Sequence, residues 1–156
     1  MTPGRDAEEA PDDARTLDDA PGRVLALDLG QVRIGVAISD PARRVAVPLG
    51  TVRTGPPDDL RAIGSLVRQH GVTQVVVGLP LRMSGKRGEA AVLAEGFAAV
   101  LREALGVSVD MQDERLSTVE AERGLARAGT RGRARRRVVD QSAAALILQS
   151  YLDRTG

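Results

Sequence analysis

The chain has no cysteine and no tryptophan, and only one phenylalanine, one tyrosine, one histidine and one lysine. Without cysteine there is neither a disulfide framework nor a thiolate metal site. The single histidine, His70, leaves none to spare for a metal triad; at the end of a predicted helix it reads as a C-terminal cap, and no Ser–His nucleophile pair is recognisable. There is no P-loop. With so few aromatics, Val, Leu, Ile and Ala must fill the core. No apolar run reaches membrane-spanning length, and the first residues lack a basic-then-apolar signal, so a soluble, cytoplasmic protein with no membrane partner is expected. At 156 residues one domain with a sizeable core is the natural reading.

Charge is divided unevenly. Residues 1–22 carry seven acids and two arginines, a net of −5, and the remainder carries 14 acids and 20 basic residues, a net of +6. The first segment, rich in Asp, Glu, Ala, Pro and Gly, is too polar to bury a core and is expected to be a disordered acidic tail. The basic body suggests an anionic partner such as nucleic acid; a soluble domain of ordinary charge is the alternative.

What is present is organised around RVLALDLGQVRIGVAISD, residues 23–40. Val24 to Leu29 is a near-continuous apolar run, the pattern of a central strand buried on both faces, interrupted by one acid, Asp28. Burying a carboxylate there is costly unless its charge is compensated. Gly30 permits a tight turn, and Ile34, Val36 and Ile38 alternate with small residues as a partner strand. Val45 to Val52 reads as a third strand, which Pro48 pushes to an edge or a bulge.

Helix and strand then alternate. A helix spans about Asp58 to His70 and ends at Gly71. Val72 to Val77 is a short apolar strand closed by Gly78-Leu79-Pro80. After a polar loop with Arg82, Lys86 and Arg87, a second helix runs from about Glu89 to Leu105, with Val92, Leu93, Phe97, Val100, Leu101 and Leu105 on its buried side. Val107 to Met111 is a fifth strand. Ser117-Thr118-Val119-Glu120 fits a capping box for a third helix to about Ala128. A final helix spans about Val138 to Asp153. This order predicts an α/β fold: a five-stranded mixed sheet, its first three strands antiparallel, flanked by helices on both faces. Residues 23–153 form this domain.

Open α/β sheets bind ligands beyond the carboxyl ends of their strands. Asp28 ends the first strand, Asp113 and Glu114 follow the fifth, and Asp140 lies in the first turn of the last helix. Acids gathered on one rim repel unless a cation lies between them, and oxygen-only ligands favour Mg²⁺ or Mn²⁺. Such ions can activate a water and stabilise the leaving oxygen of a phosphodiester. Each acid also has an ordinary reading. Asp28 could accept turn amides near Gly30, Asp113 and Glu114 could be surface residues partnered by Arg115, and Asp140 could complement its helix dipole. The run Arg131, Arg133, Arg135, Arg136 and Arg137 could grip phosphates or be a solvated loop.

DLGQVRIGVAISD, VVVGLPLRMSG, DERLSTVEA and VDQSAAALILQSYL, in this order, closely resemble the YqgF (RuvX) family, a branch of the RuvC-like, RNase H-like nucleases. The resemblance covers about residues 23–153. It implies an RNase H-like fold and Mg²⁺- or Mn²⁺-dependent phosphodiester cleavage. It also implies a role in processing the 5′ end of pre-16S ribosomal RNA, with Holliday-junction resolution as the older assignment. The family's acids fall on Asp28, Glu114 and Asp140, with Asp113 second. RuvC-like enzymes typically carry a Glu at the end of the fourth strand, whereas this chain has Val77-Gly78-Leu79-Pro80, so Glu114 must reach across. Arg33, Arg82, Lys86, Arg115 and the Arg131 to Arg137 run would hold the nucleic-acid backbone. The partner implied is precursor rRNA, or branched DNA, which would require a homodimer instead of a monomer. Two other readings remain: a binding module without catalysis, and the phosphate loop of a sugar-kinase or actin-like ATPase, which needs two such domains.

Overall fold

The structure, a computed structural model, describes residues 22–116 and 142–155. Along these residues the chain forms β1 (Arg23–Leu29), β2 (Arg33–Ser39), β3 (Ala46–Arg53), α1 (Asp58–His70), β4 (Val72–Leu79), α2 (Glu89–Leu105), β5 (Ser108–Asp113) and α3 (Ala143–Thr155). The acidic segment 1–21, the helix expected over 117–128 and the arginine run all lie outside the described residues.

The five strands make one sheet in the order β3-β2-β1-β4-β5. β1, β2 and β3 pair antiparallel in sequence, while β4 lies parallel to β1 and β5 parallel to β4. This is the expected mixed sheet. β1 is central because helices cover it from both sides, and Val24, Leu25, Ala26 and Leu27 are fully buried. Strand side chains alternate between faces. Leu25 and Leu27 join Ile63, Val67, Ala98 and Leu101 of α1 and α2. Val24 and Ala26 join Ala144, Ile147, Leu148 and Leu152 of α3.

β3 takes the edge, where Pro48 need not donate to a second neighbour. It also carries an irregularity: Val36 and Ala37 are consecutive on β2, but pair with Gly50 and Pro48, passing over Leu49. β4 runs two residues further than the sequence suggests, to Leu79, because Gly78 and Leu79 keep their pairing with Gln112 and Asp113. α1 has Asp58 and Asp59 in its first turn, favourable at the positive end of its dipole. Both α1 and α2 stop at glycines in the left-handed region, Gly71 (φ 64°) and Gly106 (φ 65°), whose N–H groups donate to Val67 and Arg102 carbonyls.

The buried face of α2 differs from expectation. Ala91, Ala94, Ala98 and Leu101 face the sheet, while Val92, Leu93 and Val100 are exposed; Phe97 and Leu105 are partly buried at the margin. Apolar residues surround much of this helix, so their period does not select a face, and alanines at three- and four-residue spacing let the helix sit close to the strands.

α3 opens at Ala143, later than the expected Val138. The Ser142 hydroxyl accepts the Ala145 N–H at 2.9 Å, an N-cap. Polar side chains tie α3 to both sides of the sheet. Gln149 accepts the Ala46 N–H at 3.0 Å and donates to the Arg44 carbonyl at 3.0 Å. Gln112 donates to Ser150 at 2.9 Å, and the Tyr151 hydroxyl donates to Asp110 at 2.6 Å. The helix is thereby held across the face that carries Asp28. Among the described residues no helix is long and apolar enough to cross a membrane.

Two substitutions separate core from surface. Leu148→Ala, at a side chain with no exposure, should cost about 2–5 kcal/mol in denaturant unfolding. Leu93→Ala, at a residue 67% exposed, should change stability by no more than about 0.5 kcal/mol.

Candidate active site

Asp28 sits near the carboxyl end of β1 on the face covered by α3. Its antiparallel partner is Gly35, and a Cβ at Gly35 would lie 3.6 Å from both the Asp28 Cβ and the Ala144 Cβ. Small residues thus leave the carboxylate space beside α3. Burial pushes the Asp28 carboxyl above its ordinary value.

Glu114 follows β5, with β4 between it and β1. A Cβ at Gly78 would lie 2.7 Å from Glu114 Oε2 and 2.8 Å from the Ile147 methyl Cδ1. The carboxylate therefore crosses directly over Gly78, under α3. Leu27 pairs with Val77, which sets Gly78 beside Asp28. The sequence reads Gly78 as the end of a strand; in the fold it is the gap through which Glu114 reaches its partner acid. Half-buried, and facing Asp28 and then Asp113, the Glu114 carboxyl is pushed up to about 7 by desolvation first and by these charges second.

Asp113 has another role. Met111 packs on the α1–α2 side of the sheet, and alternation sends Asp113 to that side and Glu114 to the other. Arg115 returns to clasp Asp113. Its Nε lies 3.1 Å from both carboxylate oxygens, its Nη2 2.7 Å from Oδ2, and its backbone N–H donates to Oδ1 at 2.9 Å. This holds the Asp113 carboxyl below its usual range. Glu114 and Asp113, adjacent in sequence, are thus sorted into one carboxylate that meets an acid and one that meets a base.

Among the described residues no three acidic or histidine side chains form a metal-binding group; the structure brings together two, Asp28 and Glu114. Asp140 and Arg131, Arg133, Arg135, Arg136 and Arg137 lie outside the described residues. The donor set suits a hard cation: two half-buried carboxylates, both disfavoured as anions, with carboxylate oxygens that Mg²⁺ or Mn²⁺ prefers.

The predicted cations that fall among the described residues lie around this end of the sheet. Arg33 opens β2 and is exposed, and Arg53 of β3 is its direct cross-strand partner. The sequence reading omits Arg53; the register that places it depends on the skipped residue in β3. Arg82 and Lys86 are exposed in the loop between β4 and α2, while Arg87 in that loop pairs with Glu95 of α2. Arg115 spends its guanidinium on Asp113 and on the loop: its Nη1 donates to the Met83 carbonyl at 3.3 Å.

Comparison with known proteins bears on this site. Residues 22–154 match the model of the family described as RuvX, Holliday junction resolvase. A relative from Anaeromyxobacter dehalogenans, named "Putative pre-16S rRNA nuclease", is 51% identical over 85% of this chain and 97% of its own length. One of the same name from Chloroflexus aurantiacus is 49% identical over 83% and 86%. Among solved structures, T. thermophilus RuvC in complex with a Holliday junction substrate superposes with a TM-score of 0.54 at 17% identity, covering 85% of this chain and 94% of RuvC. A second T. thermophilus RuvC structure gives 0.50 at 14% identity, covering 86% and 96%. These likenesses show the fold, which is RNase H-like.

Two measurements check the carboxylate pair. Gly78→Ala should cost about 1–3 kcal/mol in unfolding free energy, because the methyl group overlaps Glu114 and Ile147. The pH dependence has a defined sign. Folded Glu114 holds its proton more tightly than the unfolded chain does. Its contribution to the stability of metal-free protein is full below its ordinary value of 4.5 and is lost as pH rises through about 7. Chemical denaturation between pH 4 and 8 should show a decline that Glu114→Gln removes.

Proposed function

We propose that this chain, a member of the RuvX family, is a metal-dependent nuclease that hydrolyses phosphodiester bonds of precursor 16S ribosomal RNA in the cytoplasm. The observation that carries this reading is the meeting of Asp28 and Glu114 across Gly78. Two acids that repel as anions on an apolar sheet face suit a divalent cation. The pre-16S rRNA substrate is that in the names of the relatives.

Residues 23–153 make up the catalytic domain. Asp28 and Glu114, joined by Asp140 from the segment before α3, would hold Mg²⁺ or Mn²⁺. When bound, such an ion supplies Lewis acidity towards the phosphoryl oxygens and lowers the pKa of water. The chain's own residues orient the substrate. Arg33, Arg82 and Lys86, with Arg131, Arg133, Arg135, Arg136 and Arg137, would hold phosphates on either side of the scissile bond. Arg115 acts through the loop that it anchors. With its carboxyl pushed up to about 7, metal-free Glu114 holds a proton more tightly than an ordinary glutamate, and cation binding would release it.

A second substrate, branched DNA, is favoured by the family's description and by the shared fold with RuvC. It requires two symmetric incisions and hence a dimer. Where RuvC-like enzymes typically carry an acid at the end of the fourth strand, this chain has Val77-Gly78-Leu79-Pro80, which makes the site a variant of theirs.

The test sets a precursor 16S RNA and a four-way DNA junction side by side with Mg²⁺, Mn²⁺ or chelator. RNA cleavage that needs the ion is expected. Asp28→Asn and Glu114→Gln should each lower it by about 100-fold or more, since even groups that only orient metal ligands are worth ~10–100-fold. Undiminished cleavage by either folded variant refutes its assignment. Junction cleavage by a dimer, with the RNA left intact, selects the DNA reading.

A further inference from the structure

Met83 is 91% exposed, yet the backbone around it is tightly organised. Leu81 and Arg87 form a bridge across the loop. The Arg82 N–H donates to the Lys86 carbonyl at 3.0 Å, and the Gly85 N–H donates to the Arg82 carbonyl at 2.7 Å. Gly85, at φ 87°, makes the turn in the left-handed region and leaves the Arg115 guanidinium 3.4 Å from where its Cβ would be. Arg115, clasped by Asp113, then donates to the Met83 carbonyl at 3.3 Å. Asp113, Arg115 and the backbone at Met83 form one continuous chain of contacts from β5 to the loop tip.

This arrangement costs something. A large apolar side chain is held in water, flanked by Arg82 and Lys86, both exposed. The loop follows β4 and so rises from the end of the sheet where Asp28 and Glu114 meet. A merely solvated loop needs neither the apolar tip nor the anchor.

We propose that this loop is a preformed base-contacting element. Met83 offers its apolar surface to a nucleobase that has left its stack, Arg82 and Lys86 hold the neighbouring phosphates, and Asp113 is a positioning residue that acts through Arg115. The inference rests on the nucleic-acid reading of the site. Apolar side chains of this kind stabilise unstacked bases, and cations beside them supply the sequence-independent attraction. An exposed methionine, being unbranched and polarisable, accommodates any base. The element would select RNA with a single-stranded segment beside a helix over uniform duplex.

The test uses the full-length protein and an RNA hairpin with a single-stranded extension, carrying 2-aminopurine at the junction, with Ca²⁺ present. Wild type should raise the 2-aminopurine emission on binding. Met83→Ser should abolish that rise and weaken binding about fivefold, with the salt dependence unchanged, and Met83→Leu should restore both. Asp113→Asn should reduce the rise and Asp113→Glu should recover part of it. Equal emission with wild type and Met83→Ser at saturation overturns the proposal. So does a Met83→Ser variant whose salt dependence falls, because the loop then acts only through its charges. Cleavage under Mg²⁺ is scored separately. An emission rise without cleavage supports the loop's role and counts against the nuclease, and cleavage without a rise does the reverse.

Discussion

The passage of the Glu114 carboxylate over Gly78, towards the β1 strand end that carries Asp28, is the constraint on which this end of the sheet depends. Asp28 and Glu114 come from strands that are not neighbours, and β4 runs between them. Only an absent side chain at Gly78 lets Glu114 cross. The surroundings are built to permit this. Gly35 opens the other flank of Asp28, Ala144 presents a small side chain of α3, and Ile147 closes the space above Gly78. Burial first and the neighbouring acid charges second raise the Glu114 carboxyl, a cost offset by the packed cores on the two sides of the sheet.

α3 is what makes the crowding possible. A helix lying loosely on this face would admit water, and the carboxylates would be ordinary surface acids. Its attachment is polar at both margins, through Gln149 to the β3 side and through Gln112 and Tyr151 to β5. Its apolar face fills the middle with Ile147, Leu148 and Leu152. These bonds fix the helix in register with the strands, so small residues of α3 fall beside Asp28 and Ile147 falls over Gly78. Gln149, Ser150 and Tyr151 therefore shape the site by fixing where α3 lies.

Three consecutive residues, Asp113, Glu114 and Arg115, divide the work. A strand turns successive side chains to opposite faces, so one step separates a carboxylate that meets Asp28 from one that meets Arg115. Arg115 then binds both Asp113 and the loop carrying Met83. Glu114 and the loop carrying Met83 are thus connected through the end of β5. The same sheet end carries Arg33 and Arg53 directly opposite each other, a pairing of like charges that costs stability in a sheet.

The sequence by itself determined the order of the described elements, the sheet's mixed character and the place of Asp28 as a lone acid in its central apolar strand. Those are local or periodic signals: an apolar run broken by one acid, glycines at the ends of α1 and α2, and a proline that marks β3 as an edge. The four motifs also carried the family. Only the tertiary structure decided that Gly78 is the passage for Glu114, that Asp113 belongs to Arg115, and that α2 buries alanines while Val92, Leu93 and Val100 face water. Each of those depends on which residues of distant strands lie side by side, on the register that sets them there, and on how closely a helix can approach. Sequence spacing along one chain does not contain that information, because the distances that matter run across the sheet.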